Sequence, residues 1–288
     1  NKNILISSDD ILQHISFDAL YKNLSKNYLI YNHTIQYAFS AGTYFNHQPL
    51  SKNKNILAFF PNFDNTKYAT LNSEKEQKSL INFCNYIEKK DSLATKKAFL
   101  KCYKTSNIIH IASHLIVDTI LPLESALLFQ PNNDYQLTIN DIWRLNTNTQ
   151  LVTLAACHSN FGKTQNGEGM QNFAWAFQYA GAHNILSTQW NASDKSTANI
   201  ISDFYEFIRN GKSKEEALCL AKIKYIESSD AIGAQPYFWA NYCLYTDETD
   251  IKIKSYFLTK FGLFTICFLF VSYIAYKNSS KKKSNVVI

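Results

Sequence analysis

The chain shows no CxxC spacing, no internal repeat and no basic stripe along its body, and each gap removes a class of function. Its six cysteines (Cys84, Cys102, Cys157, Cys219, Cys243 and Cys267) stand apart, and 288 residues need no disulfide framework to hold a fold. Most sit among apolar neighbours, where cysteine behaves as a small core residue. Of the net charge of +6, five units belong to Lys260, Lys277, Lys281, Lys282 and Lys283, leaving +1 for residues 1–255. A nearly neutral body argues against nucleic acid as a partner. There is also neither an initiator methionine nor a signal peptide at the start. The sequence opens within three residues of the apolar run Ile4-Leu5-Ile6, so a piece of a longer chain is expected, any targeting signal lying in the missing part.

What is present is apolar: 46% of the residues are hydrophobic, enough for a sizeable core in one large or two small domains. The run Leu151-Val152-Thr153-Leu154-Ala155-Ala156 leads straight into Cys157 and then into a polar, glycine-rich segment holding Gly162, Gly167 and Gly169. A continuous apolar run bounded by turn residues reads as a strand buried on both faces. Ile108 to Ala112 has the same form, broken only by His110, and ends at Ser113-His114. Between the two, Leu137 to Leu145 carries helical spacing and supplies a crossover, so the strands should lie parallel with their carboxyl ends on one rim. Chemistry collects at that rim in open parallel sheets. His114 and Cys157 become neighbours there, as a thiol nucleophile and its base require.

The rest alternates strand and helix, as an α/β sandwich does. Strands are expected at Ile4–Ile6, at Ile56–Phe60 (stopped by Pro61), at Asn184–Thr188 and, closing the sheet, at Phe238–Tyr245. Helical spacing predicts Ser73–Ile87, with Leu80, Ile81, Cys84 and Ile87 on one face and Glu76 mostly off it. Further helices are expected over Ser92–Tyr103, over Met170–Tyr179 with its stop at Ala180-Gly181, and over Asp194–Ile208. Ser213-Lys214-Glu215-Glu216 has capping-box spacing and opens another through Tyr225.

Residues 255–276 carry one charge, Lys260, across 22 residues. As a helix they span about 33 Å against a hydrocarbon layer of roughly 30 Å, so a single-pass membrane anchor is expected, followed by a basic tail over 277–288. Four lysines of the tail face Lys252, Lys254 and Lys260 on the other side. The positive-inside rule thus leans towards a cytoplasmic tail and a non-cytoplasmic domain, whereas a reduced thiol favours the cytoplasm. Both orientations remain open.

With these blocks in order, the sequence resembles the CHAT domains, caspase-like cysteine peptidases often attached to tetratricopeptide repeats. The resemblance covers about residues 1–246. It rests on Ile4-Leu5-Ile6-Ser7-Ser8-Asp9-Asp10 and Ile15-Ser16-Phe17-Asp18-Ala19-Leu20, on His110-Ile111-Ala112-Ser113-His114 and on Leu154-Ala155-Ala156-Cys157. Gly167-Glu168-Gly169, Ala180-Gly181-Ala182, Gln189-Trp190, Asp194-Lys195-Ser196-Thr197 and Pro236-Tyr237-Phe238-Trp239-Ala240 follow in the family's order. It implies a caspase-like α/β/α sandwich with a mainly parallel sheet, residues 1–92 forming a degenerate N-terminal half and 93–248 the half that bears the site. It implies peptide-bond hydrolysis by Cys157 as nucleophile and His114 as base, the oxyanion held by the backbone N–H groups of Cys157 and Leu115. An upstream tetratricopeptide-repeat region would regulate it, a protein or peptide would be its substrate, and no cofactor or metal is called for.

Two positions depart from the family: Leu115 stands where it has glycine, and His158 where a small or acidic residue is usual. A module without activity, recruiting partners to a membrane as a scaffold, is therefore the alternative. Asp194 reads as a helix-start residue or, as the resemblance implies, as an acid lining a pocket for a basic substrate side chain. Glu168, Gln189 and His158 are candidates for substrate binding. His110 reads as a core or positioning residue, its spacing to His114 suiting zinc only on a helix. Tyr237 and Trp239 are expected to pack in the core.

Overall fold

The two apolar runs do form the centre of a sheet. The computed structural model describes residues 2–21, 27–45, 49, 55–68, 71–156, 163–165, 169–191 and 193–251. Strands β1 (Lys2–Ile6), β2 (His33–Tyr37), β3 (Asn55–Phe60), β4 (Tyr86–Lys90) and β5 (Ser106–Ala112) come first. A small antiparallel sheet of β6 (Leu115–Ile116), β7 (Ala126–Leu128) and β8 (Gln136–Thr138) follows, and then β9 (Leu151–Ala155). The hairpin β10 (Lys163–Gln165) and β11 (Gly169–Gln171) precedes β12 (Ile185–Thr188) and β13 (Tyr242–Tyr245). The main sheet has the order β1-β2-β13-β12-β9-β5-β3-β4. Its neighbours are parallel throughout except β12 and β13. The strands of residues 1–92 flank those of 93–248 on both sides, so the two stretches build one continuous sheet.

Alternating side chains of these strands feed two cores. Ile56, Ala58, Ile108, Leu151 and Leu186 pack beneath one set of helices, while Leu57, Phe59, Ile109, Val152 and Leu154 pack beneath the other. The first face is covered by α2 (Glu74–Leu80), α6 (Asp194–Arg209), α7 (Lys214–Ser228) and the short α8 (Pro236–Trp239). The second is covered by α3 (Lys96–Cys102), α4 (Ile139–Trp143) and α5 (Phe173–Tyr179), while α1 (Ala41–Phe45) carries no buried residue. Side chains start most of the longer helices: the oxygens of Thr95, Thr138, Asn172, Ser193 and Ser213 each accept a backbone N–H of the first turn. Gly181 ends α5 with φ +105°, and a β-carbon there would meet the Thr147 carbonyl oxygen at 2.1 Å. The predicted stop at Ala180-Gly181 is thus a steric necessity.

Several expectations need correction. The helix predicted over Ser73–Ile87 ends at Leu80, the chain reverses through Asn85 at φ +60°, and Tyr86 to Lys90 pairs with β3 as an edge strand. Ile81, expected on the buried face, is 64% exposed, and Glu76, expected off it, is buried. Phe238 begins no strand, because Pro236 opens a helical turn and β13 starts only at Tyr242, antiparallel to β12. Met170 belongs to a hairpin, so α5 begins at Phe173. Lys96 rather than Ser92 starts α3. Tyr237 is 52% exposed while Trp239 is fully buried, so only the second packs in the core. Among the described residues no helix is long and apolar enough to cross a membrane, and the segment 255–276 lies outside them.

Candidate active site

The site is set by the register of β5 against β9, which runs from Ile108 opposite Leu151 to Ala112 opposite Ala155. Past the strand ends the two chains stay linked, since Ser113 N donates to Ala155 O at 3.3 Å. Thr188, the last residue of β12, donates its hydroxyl to Ala156 O at 2.7 Å. Cys157 follows Ala156 directly in sequence but lies outside the described residues, as do His158 and Glu168.

His114 is half-buried. Its ring meets Phe63 edge-on at 4.8 Å and stacks on Tyr68 at 5.6 Å between centroids, so two aromatic residues of the β3–α2 connection fix its plane. Its carbonyl accepts Leu128 N at 3.0 Å, and the Ser113 hydroxyl donates to Leu128 O, tying this corner to β7. Leu115 pairs with Leu127 in the alternating ladder next to that bonded pair, a position at which backbone N–H groups face away from the partner strand. Leucine needs no left-handed backbone here: Leu115 is not among the residues with positive φ.

A small cleft of about 20 Å³ is lined by Ser73, Glu76, Ala112, Ser113, Ala156 and Asp194 among others. Asp194 is exposed at the first position of α6, which Ser193 caps, and it is one of the residues lining the cleft. Gln189 does not line this cleft. Its backbone N–H donates to Asn241 O at 2.8 Å and its side-chain amide to Gln13 O at 3.1 Å, a brace towards the N-terminal segment.

Beneath the cleft lies a buried polar chain. His110 Nε2 stands 2.9 Å from Glu76 Oε2, without the alignment of a hydrogen bond, and its Nδ1 is 3.3 Å from the Tyr205 hydroxyl. Tyr205 in turn donates to Thr153 Oγ1 at 2.7 Å, and burial pushes its phenol far up, so it remains protonated. His110 thus faces α2 and α6 while His114 packs against Phe63 and Tyr68. Among the described residues no three His, Cys, Asp or Glu side chains stand together as a metal site.

The sequence did not single out Phe63, Tyr68, Thr188 or Glu76. Nothing in the local pattern marks the first three, whose positions depend on how the β3–α2 connection and the end of β12 fold over the rim. Glu76, placed off the buried face, lies one turn before Leu80 on the same side of α2, and both are buried.

With this geometry in place, the comparisons are informative. The CHAT domain family matches residues 1–247. Among solved structures, the chain is similar to the Arg-specific cysteine proteinase gingipain R, at 13% identity and a TM-score of 0.60, over 85% of this chain and 63% of that one. A complex of the pro- and mature domains of RgpB from Porphyromonas gingivalis matches at 13% identity and 0.58, over 85% and 64%. The separase–securin complex of Saccharomyces cerevisiae matches at 14% and 0.50, over 74% and 14%. The chain therefore spans less than two thirds of the length of each. A comparison with curated protein sequences finds no match.

Proposed function

Because the chain belongs to the CHAT domain family and has a caspase-like cysteine peptidase-type fold, we propose that it hydrolyses peptide bonds with Cys157 and His114 as its working pair. The observation that carries this reading is the parallel register of β5 and β9. It sets Ala112, two residues before His114 in sequence, opposite Ala155, two residues before Cys157. His114 takes the thiol proton, and the thiolate attacks the carbonyl carbon of the substrate. The N–H groups of Leu115 and Cys157 hold the oxygen that becomes negative. Collapse of the tetrahedral intermediate expels the amine, which leaves with the proton from the imidazolium. Water, deprotonated by the same imidazole, then cleaves the thioester and returns the thiol.

The side chain on the acyl side of the scissile bond lies against Asp194, one of the residues lining the small cleft. The apolar segment 255–276 tethers the domain to a membrane, and an upstream repeat region governs access to the site. The test is incubation of the purified chain with a peptide library beside a Cys157→Ala control. Cleavage by the first alone is the expected result. Equal residual cleavage by both removes the peptidase reading and leaves the scaffold.

A further inference from the structure

The chain leaves the sheet at the end opposite the site, and a buried lysine fastens it there. Tyr245 of β13 is level with Ile185 of β12, Val152 of β9 and Ile109 of β5. From that level β5 runs on to Ala112, about 10 Å further, and the chain continues to His114, whereas β13 runs the other way.

The stretch that follows β13 is tied down bond by bond. Thr246 N donates to Tyr37 O at 2.9 Å and Glu248 N to Tyr44 O at 3.4 Å. The Lys214 ammonium, on a residue 2% exposed, donates to Asp247 O at 3.0 Å and to Thr249 O. Asp247 holds His183 Nδ1 on one carboxylate oxygen and Thr249 on the other. Ile251 packs against the core beneath α6 and α7. A buried ammonium is costly unless its hydrogens find acceptors, and two of its acceptors are carbonyls of this strap. Releasing the strap would strand the charge. The peptidase chemistry uses none of these groups.

Lys252, Ile253 and Lys254 alone separate Ile251 from the apolar segment 255–276. Four extended residues reach about 14 Å. A folded chain of about 250 residues has a radius of gyration of about 18 Å and is far thicker than that reach. A link this short, starting from the far end of the sheet, cannot lay the rim of the site on a bilayer that holds residue 255.

We propose that the strap 246–251, clamped by Lys214 and Asp247, turns the rim of the site away from the membrane. The substrate is then a peptide bond well clear of the bilayer, on a soluble protein or a long extramembrane stretch, and not one beside a membrane span. This deepens the proposed function and rests on both its tether and its peptidase chemistry.

The test reconstitutes the full chain into phosphatidylcholine vesicles with single-pass reporters. Each reporter carries one library-selected peptide, either about 4 or about 30 residues from its span, reaches of about 14 Å and about 100 Å. The longer reporter is expected to be cleaved at least about 20-fold faster. Inserting a flexible stretch of about 20 residues between Ile251 and Lys252 should bring the two rates within about 3-fold. Lys214→Met, far from the site, should narrow the gap partway and leave cleavage of the free peptide unchanged. The insertion alters no buried group, so it keeps the test decisive even where that variant folds poorly. A second arm needs no cleavage: energy transfer to a headgroup dye, from a fluorophore placed at one of two exposed positions. Transfer from position Tyr237, beside the rim, is expected to be at most half that from Phe45, beside the exit. Equal cleavage of both reporters by the wild type, equal transfer from both positions, or a rate gap that survives the insertion overturns the proposal and leaves peptidase and tether standing. Unequal transfer without cleavage of any peptide supports the clamped orientation and overturns the peptidase. A chain that does not float with the vesicles overturns the tether and the proposal together.

Discussion

At the residue scale, the account turns on how two side chains are conditioned. His114 is held by Phe63 and Tyr68. Phe63 is also part of the core, so Tyr68, which is only partly buried, is the cleaner probe. Tyr68→Ala is expected to lower kcat/KM for peptide cleavage by 10- to 100-fold, the order that loss of orientation costs, while the thermal midpoint hardly moves. Kinetics and a melting curve on the same preparation check both halves. The other thiols are conditioned the opposite way: burial pushes Cys219 up to about 11 and Cys243 up to about 12. Near pH 7 both are expected to alkylate last in a mass-spectrometric time course with iodoacetamide. Labelling of either ahead of Cys157 contradicts the assignment of the nucleophile.

The next scale up is the element, where the pairing of β12 with β13 is anchored at the far end of the sheet from the site. His183 precedes β12 and Asp247 follows β13, and their Nδ1 and Oδ2 are 2.5 Å apart in the core. Burial alone would raise the Asp247 carboxyl, but hydrogen bonds from His183 and Thr249 outweigh it and hold the group below its usual 3.8. A carboxylate depressed in the folded state adds stability at pH values above its unfolded pKa. That stability is lost as pH falls through the folded value. Urea unfolding between pH 2 and pH 5 should therefore show a falling limb that Asp247→Asn flattens. At neutral pH the same substitution should cost about 1–3 kcal/mol, because it exchanges a charged hydrogen-bond acceptor of His183 for a neutral amide while Asn148 still holds the other ring nitrogen. Elements are also where the sequence was hardest to read. The long buried helices α6 and α7 were legible from their caps and apolar spacing, and so were the central strands. The edge strand β4 was not, because Ile81, Cys84 and Ile87 keep helical spacing while Asn85 turns the chain. Near Pro236 a run of aromatic residues suits strand and helix equally until the proline's position at the start of a turn is known.

For the molecule as a whole, one sheet covered on two faces leaves the rim beyond β5, β9 and β12 as the place where polar chemistry can gather. The sequence showed that much through two apolar runs ending in His114 and Cys157. It could not show that Glu76 lines the cleft, because that depends on α2 packing against α6 and bringing the carboxylate to His110 of β5. Placement in the cell belongs to this scale as well. The whole chain is expected to sediment with membranes and to be released by detergent, while a chain ended after Ile251 stays in the supernatant. Equal sedimentation of the two contradicts the anchor over 255–276.

The central claim is that the imidazole of residue 114 activates the sulfur of residue 157, and the rate of alkylation of that sulfur against pH measures it most directly. In the wild type, Cys157 should react as a thiolate well below the ordinary cysteine value of about 8.5, and in His114→Ala its profile should return to that value. Superimposable profiles from the two proteins would contradict the account.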